Sequence, residues 1–169
     1  LADISGLQIA GVLDDLYTYD GPLGVTFADG VPTLTVWAPT AQTVSLNLFT
    51  DASAGTEPSV VEMARDDVTG TWSVTGEAGW TGQYYTYNVR VFAPSEMAMV
   101  DNQVTDPYSV NLSQNSRHSQ IVDLNSAELM PDGWLTLEKP EYGDAFEDIT
   151  VYELHIRDFS VFDESVPQD

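Results

Sequence analysis

Residues 82–94, GQYYTYNVRVFAP, place the tightest limit on what this chain can fold into. Tyr85, Tyr87, Val89 and Val91 share one parity, and Tyr84, Thr86, Asn88 and Arg90 share the other. Side chains alternate across a strand with period two, so the run has one apolar face for a core and one mostly polar face away from it. Shorter runs repeat the pattern. TLTVWAP (33–39) sets Leu34, Val36 and Ala38 on one side, and TVSLNLFT (43–50) sets Val44, Leu46 and Leu48 against Ser45, Asn47 and Phe49. Pro39 and Thr40 turn the chain between these two. GTWSVTGE (70–77) reads as a short strand centred on Trp72, and EMAMVD (96–101) as the hairpin partner of 82–94. PSVVEMARD (58–66) stays open between strand and short helix. Turn signals recur about every ten residues and no long helical period appears, which is the rhythm of an all-β sandwich. Trp37, Trp72, Tyr85 and Tyr87 are expected in its core.

The flanks read differently. Residues 1–22 begin irregularly, and Gly21, Pro22 and Gly24 mark a turn. From 102 to 148 the chain is polar, with SQIVDL (119–124) as one short strand. Residues 129–148 read as an ordered connector fixed by Trp134, Tyr142 and prolines. ITVYELHIRDFSVFD (149–163) then resumes as a strand without strict alternation, the pattern of a strand buried on both faces of a parallel sheet.

Charge narrows the functional classes. Asp and Glu number 27 against 5 Lys and Arg, a formal net charge of −22. Such a surface repels nucleic acid and anionic membrane, and no apolar run approaches the roughly 18 residues of a membrane span. With 0 Cys, disulfides and thiolate metal sites are excluded. Scattered acids suit solubility. Calcium is the one ion they would suit as a cofactor, and DNQVTD (101–106) and DAFED (144–148) are the nearest approaches to a calcium loop, so no cofactor is assigned. His118 and His155 lie far apart without a nucleophile motif, and no metal-ligand spacing occurs. LADISGLQ contains no signal-peptide pattern and no initiator Met, as expected of a chain excised from a longer one or of a mature secreted protein.

Aromatics are the more informative candidates. A sugar ring stacks its apolar face on an exposed Trp or Tyr while its hydroxyls pair with amides, hydroxyls or carboxylates. Trp80, Tyr84, Thr86 and Asn88 are the carbohydrate-binding candidates, and the same residues also suit an ordinary solvated sheet surface. Asn111 opens an NLS glycosylation triplet, a weak signal. If 149–158 is a barrel strand, Arg157, Asp158 and Phe159 fall at its C-terminal end, where β/α barrels build their sites; they suit structural pins of that rim or the lining of a cleft.

LYTYDGPLG (16–24), LTVWAPTAQTVSLNLF (34–49), GTWSV (70–74), GQYYTYNVRVF (82–92), VTDPYS (104–109), NSRHSQIVDL (115–124), PDGW (131–134) and DITVYELHIRDFS (148–160) occur in this order. The ordered set resembles bacterial pullulanases, of the amylase superfamily and glycoside hydrolase family 13, over essentially the whole chain. The resemblance implies an N-terminal extension (1–19), an immunoglobulin-like sandwich of carbohydrate-binding module family 48 type (20–110), a linker (111–148) and the first strand of a (β/α)8 barrel (149–158, within 149–169). It implies a parent enzyme that hydrolyses α-1,6 linkages with a carboxylate pair. No catalytic residue carries over to this chain, which is expected to be inactive alone. The implied partners are α-glucan (pullulan, starch, glycogen) and the catalytic barrel missing from this chain. The implied location is secreted or cell-envelope. A stand-alone α-glucan-binding module and a structural sandwich unrelated to sugar are the alternatives. Related glycogen-binding modules use two exposed Trp and a Lys on the long strand. Thr86 stands at the Lys position and no Trp falls at the other two, which favours a barrel-docking role.

Overall fold

The computed structural model describes residues 9–53, 55–138, 147 and 149–165. Two compact units divide the chain, Leu1–Leu129 and Met130–Asp169. The first unit is a sandwich of two antiparallel sheets. One sheet has the order β1 (Gly24–Ala28), β2 (Val31–Trp37), β6 (Thr71–Thr75), β5 (Ala64–Arg65). The other has the order β4 (Ser59–Glu62), β3 (Thr43–Phe49), β7 (Tyr84–Ala93), β8 (Ala98–Val104), with β9 (Ser119–Gln120) also on β7.

Period-two patterning builds the core between the sheets. Leu34 and Val36 of β2, Val44, Leu46 and Leu48 of β3, Trp72 of β6 and Tyr85 and Tyr87 of β7 bury against one another. The Trp72 indole N–H donates to the Ala38 carbonyl at 3.0 Å, so the ring is buried without an orphaned donor. Trp37, expected in the core, is half-buried beside it, at the end of β2.

The ambiguous 58–66 run is a strand in two pieces. β4 pairs with β3 in one sheet and β5 with β6 in the other, so the chain crosses the sandwich at Met63. The Met63 N–H donates to the Val44 carbonyl at 3.1 Å and its side chain is buried, so the crossing leaves no gap in the core. Arg65 braces the crossing. Its guanidinium donates to the carbonyls of Ala41 (2.8 Å) and Pro39 (3.1 Å), pairs with Asp67 at 2.9 Å and lies 5.6 Å from the Trp72 ring centroid.

Two elements were not expected. The irregular start contains a helix, α1 (Ala10–Leu16), and β1 forms a hairpin with β2 through Asp29 and Gly30, both at positive φ (50° and 76°). That is the two-residue Asp-Gly connection whose twist suits a hairpin.

The far edge of β7 is split. β8 pairs with it from Ala93 back to Tyr87, opposite Val104, and then leaves. β9 resumes the ladder opposite Tyr85 and Tyr84. Ile121, next to β9, is fully buried in the core, and its N–H donates to the Gln83 carbonyl at 2.9 Å. The sandwich therefore runs past residue 110, where its end was expected. Asp106 fills the inner side of the split. One carboxylate oxygen accepts from the Tyr85 hydroxyl (2.7 Å) and the Tyr87 hydroxyl (3.2 Å). The other accepts from the Tyr108 N–H (2.8 Å), and the Asp106 N–H donates to Ser119 Oγ (2.9 Å).

In the second unit, 149–155 pairs with no strand among the described residues, and Ile156–Ser160 forms a short helix, α2. The strand expected over 149–158 is not formed among the described residues of this chain. A strand exists only through its ladder, and no described edge is paired with this one, so local bonds decide. The Phe159 N–H donates to the His155 carbonyl at 2.9 Å, and the Asp158 N–H reaches His155 Nδ1 at 3.4 Å, starting the helix. Ile149, Val151, Tyr152 and Ile156 are left exposed. Trp134, expected to fix the connector, is 59% exposed, and Tyr142 lies outside the described residues.

Candidate functional site

The polar parity of β7 faces outward across the five-stranded sheet. Thr86 sits between the last pair with β8 (Tyr87–Val104) and the first with β9 (Tyr85–Ser119). Its hydroxyl accepts from Asn47 Nδ2 at 3.4 Å and from Gln103 Nε2 at 3.0 Å. This polar row, one residue from each of β3, β7 and β8, leaves Thr86 only 3% exposed. Asn88 lies next along β7, opposite Ser45 and Gln103. Arg90 closes the row with an ion pair to Asp101 at 3.0 Å.

Beyond the departure of β8, the turn ending in residues 116–118 lies beside this face. Asn115 and Ser116 both take positive φ (60° and 54°). Ser113 ties the turn shut: its N–H donates to the His118 carbonyl at 2.9 Å, and its Oγ accepts from the His118 N–H at 3.0 Å. The His118 ring then packs edge-on against Phe49, centroids 4.7 Å apart, which buries Phe49 on the outer face. Asn111 of the NLS triplet donates to the Gln120 side chain at 2.6 Å and helps hold the same turn.

The split leaves a groove of about 510 Å³ lined by Thr86, Gln103, Thr105, Ser116, Arg117 and His118. On the other side of Arg117 lies a second concavity of about 340 Å³, lined by Ser53, Ser113, Gln114 and Asn115. Arg117 is exposed and makes no ion pair among the described residues, whereas Arg65 and Arg90 are paired. Hydroxyls, amides, an imidazole and one free cation converge here. They can donate to and accept from ligand hydroxyls, the chemistry of a neutral polyol.

Of the candidates read from sequence, Tyr84, Thr86 and Asn88 share this face. Trp80 does not. It sits on a one-turn 3-10 helix, Ala78–Trp80, packs against the core, and its ring lies over Gly76, where an added Cβ would come within 2.2 Å of it. Arg157, Asp158 and Phe159 are together on α2, all exposed. Arg117 and Gln103 were missed; that 117 is one of only five basic positions was the available signal. Among the described residues no group of three or more His, Asp or Glu could hold a metal ion. In DNQVTD, Asp101 is taken by Arg90 and Asp106 by the tyrosines, while DAFED lies outside the described residues except for Glu147.

The model of carbohydrate-binding module 48, the isoamylase N-terminal domain, matches residues 22–109. The chain belongs to this family. A curated relative, "Pullulanase 1, chloroplastic" of Arabidopsis thaliana, is 41% identical over 163 residues, covering 96% of this chain and 17% of the relative. "Pullulanase" of Klebsiella pneumoniae is 39% identical over 177 residues, covering 100% of this chain and 16% of the relative. The family 48 chain thus spans about one sixth of the length of these pullulanases. Among solved structures, a maltotriose complex of a PulA mutant from Klebsiella pneumoniae superposes with TM-score 0.82 at 40% identity, over 95% of this chain and 18% of that one. A Paenibacillus barengoltzii pullulanase in complex with maltohexaose and α-cyclodextrin superposes with TM-score 0.73 at 34% identity, over 88% of this chain and 22% of that one.

Proposed function

We propose that this chain is the N-terminal accessory portion of a pullulanase-type debranching enzyme acting on α-1,6-glucosidic linkages in pullulan, starch or related α-glucans. The observation that carries the reading is continuity: similarity to pullulanases at 39–41% identity runs through 96–100% of the chain, past the end of the family 48 match at residue 109. Residues 149–158 are then the first barrel strand of the parent, and the exposed apolar run around Val151, Tyr152 and Ile156 is what such a strand presents before its neighbours pair with it. In that setting Arg157, Asp158 and Phe159 belong to the barrel rim. The catalytic carboxylates belong to the barrel, and none is assigned here. Glucan is taken at the split edge, where Arg117, Gln103 and His118 meet its hydroxyls. A polymeric substrate fits a secreted or cell-envelope enzyme.

Affinity electrophoresis of this chain through gels containing pullulan tests the glucan site. The expected result is retarded migration that Arg117→Ala weakens. Equal retardation of the variant would move the site elsewhere, and migration as in sugar-free gel would leave the sandwich with a docking role only. No reducing ends should be released from pullulan; release would overturn the assignment of catalysis to the barrel.

A further inference from the structure

A third concavity of the sandwich, about 300 Å³ in volume, has largely aromatic walls. Tyr17, Tyr19, Trp37 and Tyr108 line it with Asp14 and Thr18. These side chains come from the end of α1 and the turn after it, from the last residue of β2, and from the segment following β8.

The walls are held rigidly. The Trp37 indole N–H is shared between the carbonyls of Tyr17 and Thr69, both at 3.0 Å, which ties the strap after α1 to the sheet and fixes the indole plane. Tyr19 lies over Gly21, and its hydroxyl donates to the Pro22 carbonyl at 3.3 Å. Tyr108 covers Gly24, where an added Cβ would fall 2.9 Å from the Tyr108 Cβ. Its own N–H is held by buried Asp106 at 2.8 Å. Tyr108 is nonetheless 45% exposed, so its position is fixed while much of its ring faces solvent. The Asp14 carboxylate is exposed and makes no ion pair among the described residues.

We propose that this groove is a saccharide-binding site that takes a hexose unit of a neutral oligosaccharide. Rigid aromatic faces receive the apolar face of the ring at little entropic cost. Asp14 accepts from the hydroxyl rim. No cation lines the groove, and a net charge of −22 disfavours an anionic ligand. Its size falls at the low end of small-molecule clefts. This groove and the split edge share no lining residue.

The test is a 1H–15N NMR titration of the whole chain with maltotriose to about 10 mM, well above a millimolar Kd. The Trp37 indole and the Tyr19 and Tyr108 amides are expected to shift saturably. Tyr19→Ala and Asp14→Asn should each weaken that response roughly tenfold, while Arg117→Ala leaves it intact. Wild-type shifts confined to Arg117 and His118 would overturn this site and leave the split edge standing. Groove shifts that persist in both groove variants would also overturn it. Groove signals that move with protein concentration but not with maltotriose would assign the face to a second copy of the chain instead.

Discussion

Replacing Asp106 with Ala should be among the most damaging single changes in the sandwich. Asp106 is 3% exposed, and its carboxylate accepts from two fully buried tyrosine hydroxyls and from the Tyr108 N–H. Hydrogen bonds to a charged group contribute about 1.5–3 kcal/mol each, and a buried donor left without an acceptor costs about 1–3 kcal/mol. The two hydroxyls alone account for about 3–6 kcal/mol. Removing a buried charge returns part of this, since its desolvation no longer has to be offset. The net expectation is about 3 kcal/mol, which at a urea m value of about 2 kcal/mol/M lowers the unfolding midpoint by about 1.5 M. Near-UV circular dichroism in a urea series reads this directly. The cause is separated from a plain cavity by a triple variant, Asp106→Ala with Tyr85→Phe and Tyr87→Phe. Removing the donors along with their acceptor should restore much of the midpoint. A shift below about 0.3 M for Asp106→Ala, or a triple variant no more stable than the single one, would refute the account.

Burial, then the Asp106 charge, raises the pKa of both Tyr85 and Tyr87, so the fold keeps them neutral where the unfolded chain ionises them. The unfolded state holds fewer protons above about pH 10, and stability should fall there by up to about 1.4 kcal/mol per pH unit for each tyrosine; alkaline urea titrations of wild type and Tyr85→Phe check it, with a shallower slope in the variant. N–H bonds from Val68 and then Thr69 hold the Asp66 carboxyl below its ordinary value of 3.8. Its share of stability is present above that value and lost as pH falls through the depressed pKa, and 13C-detected carboxyl titration should place its midpoint below 3.8. Gly24→Ala must hold φ near 83° beside Tyr108 and should destabilise by about 1–3 kcal/mol in the same urea assay.

Alternation alone revealed β2, β3 and β7, because their core faces carry apolar residues at period two whatever strand they pair with. β1 was hidden by a weak pattern in which Val25, Thr26 and Phe27 are all partly buried. The Asp29-Gly30 turn beside it was the readable signal. The 58–66 run resisted assignment because its two halves serve different sheets, so no single periodicity describes it. The α2 segment carries strand-forming residues, but propensity for a strand is realised only against a partner. Both grooves were illegible for a related reason. Arg117 meets Thr86 only because β8 hands its ladder to β9, and Tyr108 meets Tyr17 only because Trp37 fastens the strap. Trp80 is legible in the sequence as an aromatic, but its surroundings, Gly76 and the core, are tertiary facts.

Asp106 connects these separate features. A continuous edge strand on β7 would have covered Thr86 and left no groove. The split needs something to satisfy the inner tyrosines where the ladder lapses, and a single carboxylate supplies it. The same side chain holds Tyr108, the outer wall of the aromatic groove, while its backbone N–H reaches Ser119 at the start of β9. Asp106→Asn keeps a carbonyl oxygen for the tyrosines but turns an NH2 toward either them or the Tyr108 N–H. It should therefore disturb both grooves in a chain that still folds. The maltotriose responses of Trp37 and of Arg117 should weaken together in Asp106→Asn, whereas Arg117→Ala and Asp14→Asn each affect one. Independent behaviour of the two grooves in the Asn variant would mean that the split edge and the aromatic strap are fixed separately.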